Sequence, residues 1–245
     1  MLTRDNSQLK AVALQWLEDF GDPRSLVEGS TGVLRRLFEL HDEAVVADPD
    51  DHYTINTKHD LRVEPEKVDG DLGVVRVEGW LCHAEHHPTG EMTGRYDFSG
   101  PMRLKQTSEG WKVADYTLFV RSLLGGVFPH AKGSGALWGV GLEVSVGVLT
   151  ARDTTLFLRI HNKRDQPVGL PSAELHRRFH GDLASTVGGG ITVPAGDSVT
   201  SWAWWRESLP PRTKRLRTTI SAYEGRSETW IPIEMNVDLG KAAYL

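Results

Sequence analysis

After His41 the apolar residues change from a helical spacing to a period of two, and that alternation restricts the chain more than any other feature. Successive side chains of a strand point to opposite faces, so alternation marks half-buried strands. Four long runs carry it, at 52–64, 73–86, 91–106 and 111–123. Turn residues separate them: Asp69-Gly70-Asp71, Pro88-Thr89-Gly90 and Ser108-Glu109-Gly110. The spacing predicts a meander of long antiparallel strands. Upstream, Leu9, Val12, Ala13, Trp16, Leu17 and Phe20 recur every three or four residues, and Gly21-Asp22-Pro23 stops that helix. A second helical pattern runs through Val33, Leu34, Leu37 and Phe38. Helices followed by such strands predict an α+β domain over residues 1–124, with the helices packed on one face of the sheet.

Gly125-Gly126 and the run Pro129 to Gly135 read as a linker at 125–137. Beyond it no helical pattern recurs. Short strand candidates lie at 141–150, 154–161, 172–179, 191–193, 198–206, 216–223 and 228–235, which predicts an all-β sandwich over 138–245. The charge divides in the same place. Residues 1–130 hold 14 basic and 22 acidic residues (−8), and residues 131–245 hold 14 and 11 (+3). A net charge of −5 disfavours a general nucleic-acid binder, because phosphate neutralisation needs clustered Lys and Arg. Eight Trp, seven Phe and five Tyr supply anchors for a core and exclude disorder of the whole chain. Cys82 is the one cysteine, which excludes an internal disulfide and fits a reducing compartment. No run approaches 18 apolar residues, and the start Met1-Leu2-Thr3-Arg4-Asp5 leads into no apolar signal core, so no membrane contact and a cytoplasmic location are expected.

Two segments resemble known families. The run from Met102 to Tyr116, with its Ser108-Glu109-Gly110-Trp111-Lys112-Val113 step, resembles the closing hairpin of the NTF2-like superfamily, which includes the SnoaL-like cyclases and ketosteroid isomerases. The resemblance implies a cone-shaped α+β fold over roughly residues 5–124, with a pocket walled by alternating strand positions. In the second half, Leu156 to Asn162 followed by Pro167-Val168, together with Ile191 to Thr200, is similar to the immunoglobulin-like sandwiches fused to other bacterial domains. The Cys pair of antibody-type domains is absent.

If Trp111 and Val113 face the cone, strand parity places Asp115, Thr117 and Phe119 there too, with Leu81 on a neighbouring strand; these are the expected ligand-binding positions. A carboxylate in an apolar cavity can serve as general acid or base, and the SnoaL-like resemblance points to Asp115 as the catalytic position. His83, in Cys82-His83-Ala84-Glu85-His86-His87, could pair with it for proton transfer. The same cluster could hold a metal, but spacing on one strand favours a solvated hairpin end, and no metal is expected. Tyr53 and Tyr96 read as ordinary strand aromatics, and Asp48 to His52 as a solvated loop. Trp202 and Trp204 share a face and Trp205 takes the other, so one face of that strand presents aromatics to an interface. The basic runs at Arg212, Lys214, Arg215, Arg217 and at His176, Arg177, Arg178, His180 read as solvated edges.

No Walker, G-x-G-x-x-G, H-E-x-x-H or G-x-S-x-G motif occurs, so no cofactor is expected. The expected function is non-enzymatic. A small hydrophobic ligand occupies the first domain, or that domain dimerises through its sheet, and the sandwich docks a protein partner. The competing expectation is a cofactor-independent isomerase, cyclase or dehydratase acting through Asp115.

Overall fold

The computed structural model describes residues 4–20, 22–46, 55–87, 90–118, 121–150, 153–176, 183–187, 191–205, 209, 213–224 and 229–243; for 4–5, 23, 45–46, 55–58, 83–87, 90–94, 171–176 and 183–187 it describes the backbone. The chain divides into two units, Met1–Asp42 with Asp51–Gly125 and Tyr244–Leu245, and Glu43–Asp50 with Gly126–Ala243.

The first unit opens with helices α1 (Arg4–Glu18), α2 (Pro23–Gly29) and α3 (Gly32–Val46). Leu9, Ala13, Trp16 and Leu17 bury one stripe of α1. Asp22 caps α2, accepting from the Arg24 amide at 3.2 Å and the Ser25 hydroxyl at 2.5 Å, and Pro23 supplies a preset φ at the first helical position. Strands β1 (Ile55–Asp69), β2 (Leu72–His87), β3 (Gly90–Thr107), β4 (Gly110–Asp115), β5 (Thr117–Leu118) and β6 (Arg121–Ser122) follow. They form an antiparallel sheet in the order β1-β2-β3-β5-β6, with β4 also on β3. Val75, Val77, Leu81, Met102 and Leu104 bury one face, while Arg76 bonds Glu66 at 2.7 Å on the other. Lys67 beside Asp69 holds that carboxyl below its ordinary range.

The interior of this unit is filled by rings. Trp16 lies 5.4 Å from Phe20 and 4.9 Å from Tyr116, and Phe20 meets Phe98 edge-on at 5.6 Å. The buried Trp16 indole donates to the Ser30 hydroxyl at 2.9 Å.

The second unit holds β7 (Val127–Phe128), β8 (Ser134–Leu137), β9 (Val140–Leu149), β10 (Thr154–Asn162), β11 (Val168–His176), β12 (Leu183–Val187), β13 (Thr192–Val193), β14 (Ser198–Trp205), β15 (Arg215–Glu224) and β16 (Thr229–Asp238). The path runs β16-β15-β11-β12-β14-β10-β9-β7, with β13 on β11 and β8 on β9. Lys132 and Asp238 exchange two backbone hydrogen bonds of 2.8 Å, which joins the segment before β8 to the far strand β16. The strands therefore wrap one core that includes Leu142, Leu156, Leu158, Trp205, Ile220 and Ile233.

This architecture corrects the expected fold. Among the described residues the chain is strand-dominated, with sixteen strands, α-helices only within the first 46 positions and one short 3-10 turn at Leu124–Gly126. Three helices of 15, 7 and 15 residues do not build the helical layer of an NTF2-like or SnoaL-like α+β cone. The hairpin that carried the resemblance specifies a local turn: Gly110 adopts φ +110, and the Thr107 hydroxyl bonds the Gly110 carbonyl at 2.8 Å. Any antiparallel pair can close that way. The immunoglobulin-like sandwich is also not what forms, because β12 pairs with both β11 and β14 and so joins what would be two separate sheets. The stretch 125–137 carries β7 and β8 and lies almost wholly in the second unit. Its glycines serve close approach: a Cβ on Gly135 would meet the Glu234 carbonyl oxygen at 2.5 Å.

Candidate binding surface

The anticipated catalytic face is altered by one residue. Leu104 pairs with Val113, but Arg103 pairs with Asp115, which leaves Ala114 as the extra residue of a β-bulge. Beyond a bulge the parity reverses. Tyr116 turns into the aromatic interior, and Asp115 takes the face of Arg103, opposite Trp111 and Val113. There the carboxylate is 2% exposed. It accepts from the Ser122 hydroxyl at 2.6 Å and the Leu124 amide at 3.0 Å, with Arg103 Nη1 at 3.6 Å. It ties the β5–β6 hairpin to the chain that follows.

Trp111, Val113, Thr117 and Leu81 are all buried, and Thr117 donates to the Pro101 carbonyl at 2.9 Å. They pack the interior. Phe119 and the His83 side chain lie outside the described residues. The register places Val74 level with Arg103 and Asp115, and His83 nine residues further along β2, roughly 30 Å of strand. Among the described residues no three His, Cys, Asp or Glu side chains gather as a metal site requires. No described helix is long and apolar enough to cross a membrane.

On β14, Trp202 and Trp204 point away from the core and are half-buried, each level with a β10 residue, Phe157 and Thr155. Trp205 is fully buried among the core residues, and its indole N–H finds no acceptor among the described residues. That residue belongs to the core and not to an interface. Arg217 and Arg215 of the basic run engage Glu234 and Asp238.

Among the described residues the most exposed aromatic side chains lie elsewhere, at Trp138 and Trp230. Trp138 and Gly139 form the two-residue turn between β8 and β9, with Leu137 level with Val140. Their φ values are +48 and +85, the left-handed pair of a type I′ turn. Asn or Gly is the usual occupant at the first position, and a bulky aromatic there is strained. The turn is nonetheless held. Arg164 donates to the Trp138 carbonyl at 2.8 Å, and the Lys163 amide donates to the Gly139 carbonyl at 2.8 Å. The same guanidinium makes bonds of 2.9 and 2.7 Å to Glu224, whose side chain is 6% exposed. Asn162, 1% exposed, bonds the Gln166, Val193 and Pro194 carbonyls and fixes the loop carrying Arg164. One position before Glu224, Tyr223 pairs across the strands with Trp230, ring centroids 5.0 Å apart. Trp138 is 59% exposed and Trp230 54%.

Trp230 begins a solvent-facing row on β16 that continues through Pro232, Glu234 and Asn236. The row leads into a groove of about 530 Å³ lined by Lys132, Ser134, Glu143, Glu234 and Asn236. The available signal in the sequence was Trp138-Gly139 between two alternating runs, a hairpin turn with an aromatic where a small polar residue is expected.

No protein-family model and no curated protein matches the chain. Among solved structures it is similar to the crystal structure of the intermembrane space region of chloroplast protein ARC6. The identity is 14%, over 48% of this chain and 98% of that one, with a TM-score of 0.38. A likeness of that size carries no argument about fold or activity.

Proposed function

We propose that this chain is a binding protein whose second unit presents the Trp138–Trp230 surface to a ligand, in a reducing compartment, the cytoplasm. The carrying observation is the exposed Trp138 held in a left-handed turn by a guanidinium anchored on buried Glu224. Strain of that kind persists where the surroundings over-determine it, and it costs stability that an exposed small residue would not. The groove leading from Trp230 adds polar groups that can orient what the rings hold. A lone Cys82 supports the compartment. Nothing favours the Asp115 enzyme as a second reading, since both oxygens of that carboxylate already hold the backbone and a hydroxyl.

The test is an NMR screen of the full chain against a mixed library of peptides, oligosaccharides and small aromatic acids, read at the tryptophan indole N–H signals. Trp138→Phe and Trp230→Phe variants assign the two signals of interest. A ligand that moves both supports the reading. Ligands that move only other indole signals, or a turnover that Asp115→Asn abolishes, would overturn it.

A further inference from the structure

We infer that the ligand of this surface is a neutral, linear oligosaccharide lying along β16 from Trp230 toward the groove at Glu234 and Asn236; the inference rests on the binding reading above. The aromatic face of an indole carries negative charge density, and the C–H groups of a pyranose face stack on it. Sugar hydroxyls then need planar acceptors and donors beside the ring. The row supplies both, as the Glu234 carboxylate and Asn236 amide on β16 and the Ser134 hydroxyl and Lys132 ammonium across the groove. From Trp230 to Asn236 the strand runs six residues, roughly 20 Å, which is room for several linked rings.

The other modes of recognition fit this face less well. Adding a strand requires an open sheet edge. Here β16 is an edge strand, but β8 lies against that edge: a Cβ on Gly133 or Gly135 would meet the Asn236 or Glu234 carbonyl oxygen at 3.0 or 2.5 Å, and Lys132 bonds Asp238 at its end. An amphipathic helix requires a contiguous aliphatic groove, whereas the large exposed hydrophobic side chains of the second unit are, among the described residues, Trp138 and Trp230. A polyanion requires unopposed cations, but Arg164 faces Glu224 and Arg217 faces Glu234. A proline-rich peptide shares the preference for aromatic rings, but the groove that continues from Trp230 offers it carboxylates and an amide in place of apolar proline slots.

The experiment titrates the full chain with maltohexaose, cellohexaose, chitohexaose, glucose and decaproline, following the Trp138 and Trp230 indole signals. At least one hexasaccharide moves both signals, glucose at equal concentration moves neither, and Trp230→Ala weakens the binding tenfold or more. Trp138→Asn also weakens it while the thermal midpoint stays level or rises, a combination that misfolding does not produce. If decaproline moves the two signals and no hexasaccharide does, the carbohydrate assignment is overturned and the binding reading stands. If a hexasaccharide moves only other indole signals, the assignment to this surface is overturned. If neither these probes nor the mixed library moves the two signals, both readings fall.

Discussion

The two units use tryptophan in opposite ways. In the first, Trp16 is 2% exposed, packed edge-on or tilted against Phe20, Phe38 and Tyr116, and its indole N–H is satisfied by Ser30. In the second, Trp138 and Trp230 stand in solvent, while the buried Trp205 and the buried Ser201 hydroxyl each lack a hydrogen-bond partner among the described residues. One unit spends its rings on the interior and satisfies the polar atom it buries there. The other leaves polar atoms unmet inside and rings exposed outside. Residue type alone therefore says little about role, and the partners of the polar handle say more.

The contrast can be broken by substitution. The largest effect is expected for Trp16→Ala, which removes the centre of the ring cluster and leaves Ser30 unpaired; denaturant unfolding should show a loss of about 3–5 kcal/mol. Trp230→Ala should change stability by less than about 0.5 kcal/mol. Equal losses for the two would end the comparison. Next is Asp115→Ala, which strands the buried Leu124 amide and the Ser122 hydroxyl. A cost of about 3 kcal/mol is expected in the same assay, and a near-neutral result would show that the carboxylate does not hold this corner.

Smaller and opposite in sign is Trp138→Asn. Asn tolerates the left-handed conformation, so the thermal midpoint should rise with a gain of about 1 kcal/mol. A fall would mean that the indole contributes packing that outweighs its backbone strain. The smallest effect is expected at Ser201→Ala, which deletes an orphan buried hydroxyl and should be neutral or stabilising by up to about 1 kcal/mol. A clear loss there would reveal a partner for the hydroxyl and would narrow the difference between the two interiors.

Much of the element content was legible. The helical spacing of Leu9 to Phe20 corresponds to α1, and the alternation at 73–86 and 154–161 to β2 and β10. The candidate site was much less so. Asp115 was assigned to the face of Trp111 by counting residues, and the bulge at Ala114 reverses that count without leaving a mark in the local pattern. Gly133 and Gly135 read as linker signals because glycine serves both flexibility and close approach, and only the nearby strand β16 distinguishes the two uses. Trp138 passed unremarked because the contact that holds its turn comes from Arg164, 26 positions downstream.

While β7, β8, β12 and the Trp138-Gly139 turn were not read, from the sequence came the longer strands such as β2 and β10, the turns at Asp69-Gly70-Asp71 and Ser108-Glu109-Gly110, and the charge difference between the halves. Those are local properties: alternation follows from the backbone pleat, and turn residues follow from their own φ preferences. The long-range packing set that β12 bridges β11 and β14, that β16 meets the segment before β8, that Asp115 faces away from the aromatic interior, and that Trp138 and Trp230 are exposed. Each of these depends on hydrogen bonds and packing between residues far apart in the chain. Such contacts are selected by the free energy of the whole fold, and a period read along one strand carries no record of them.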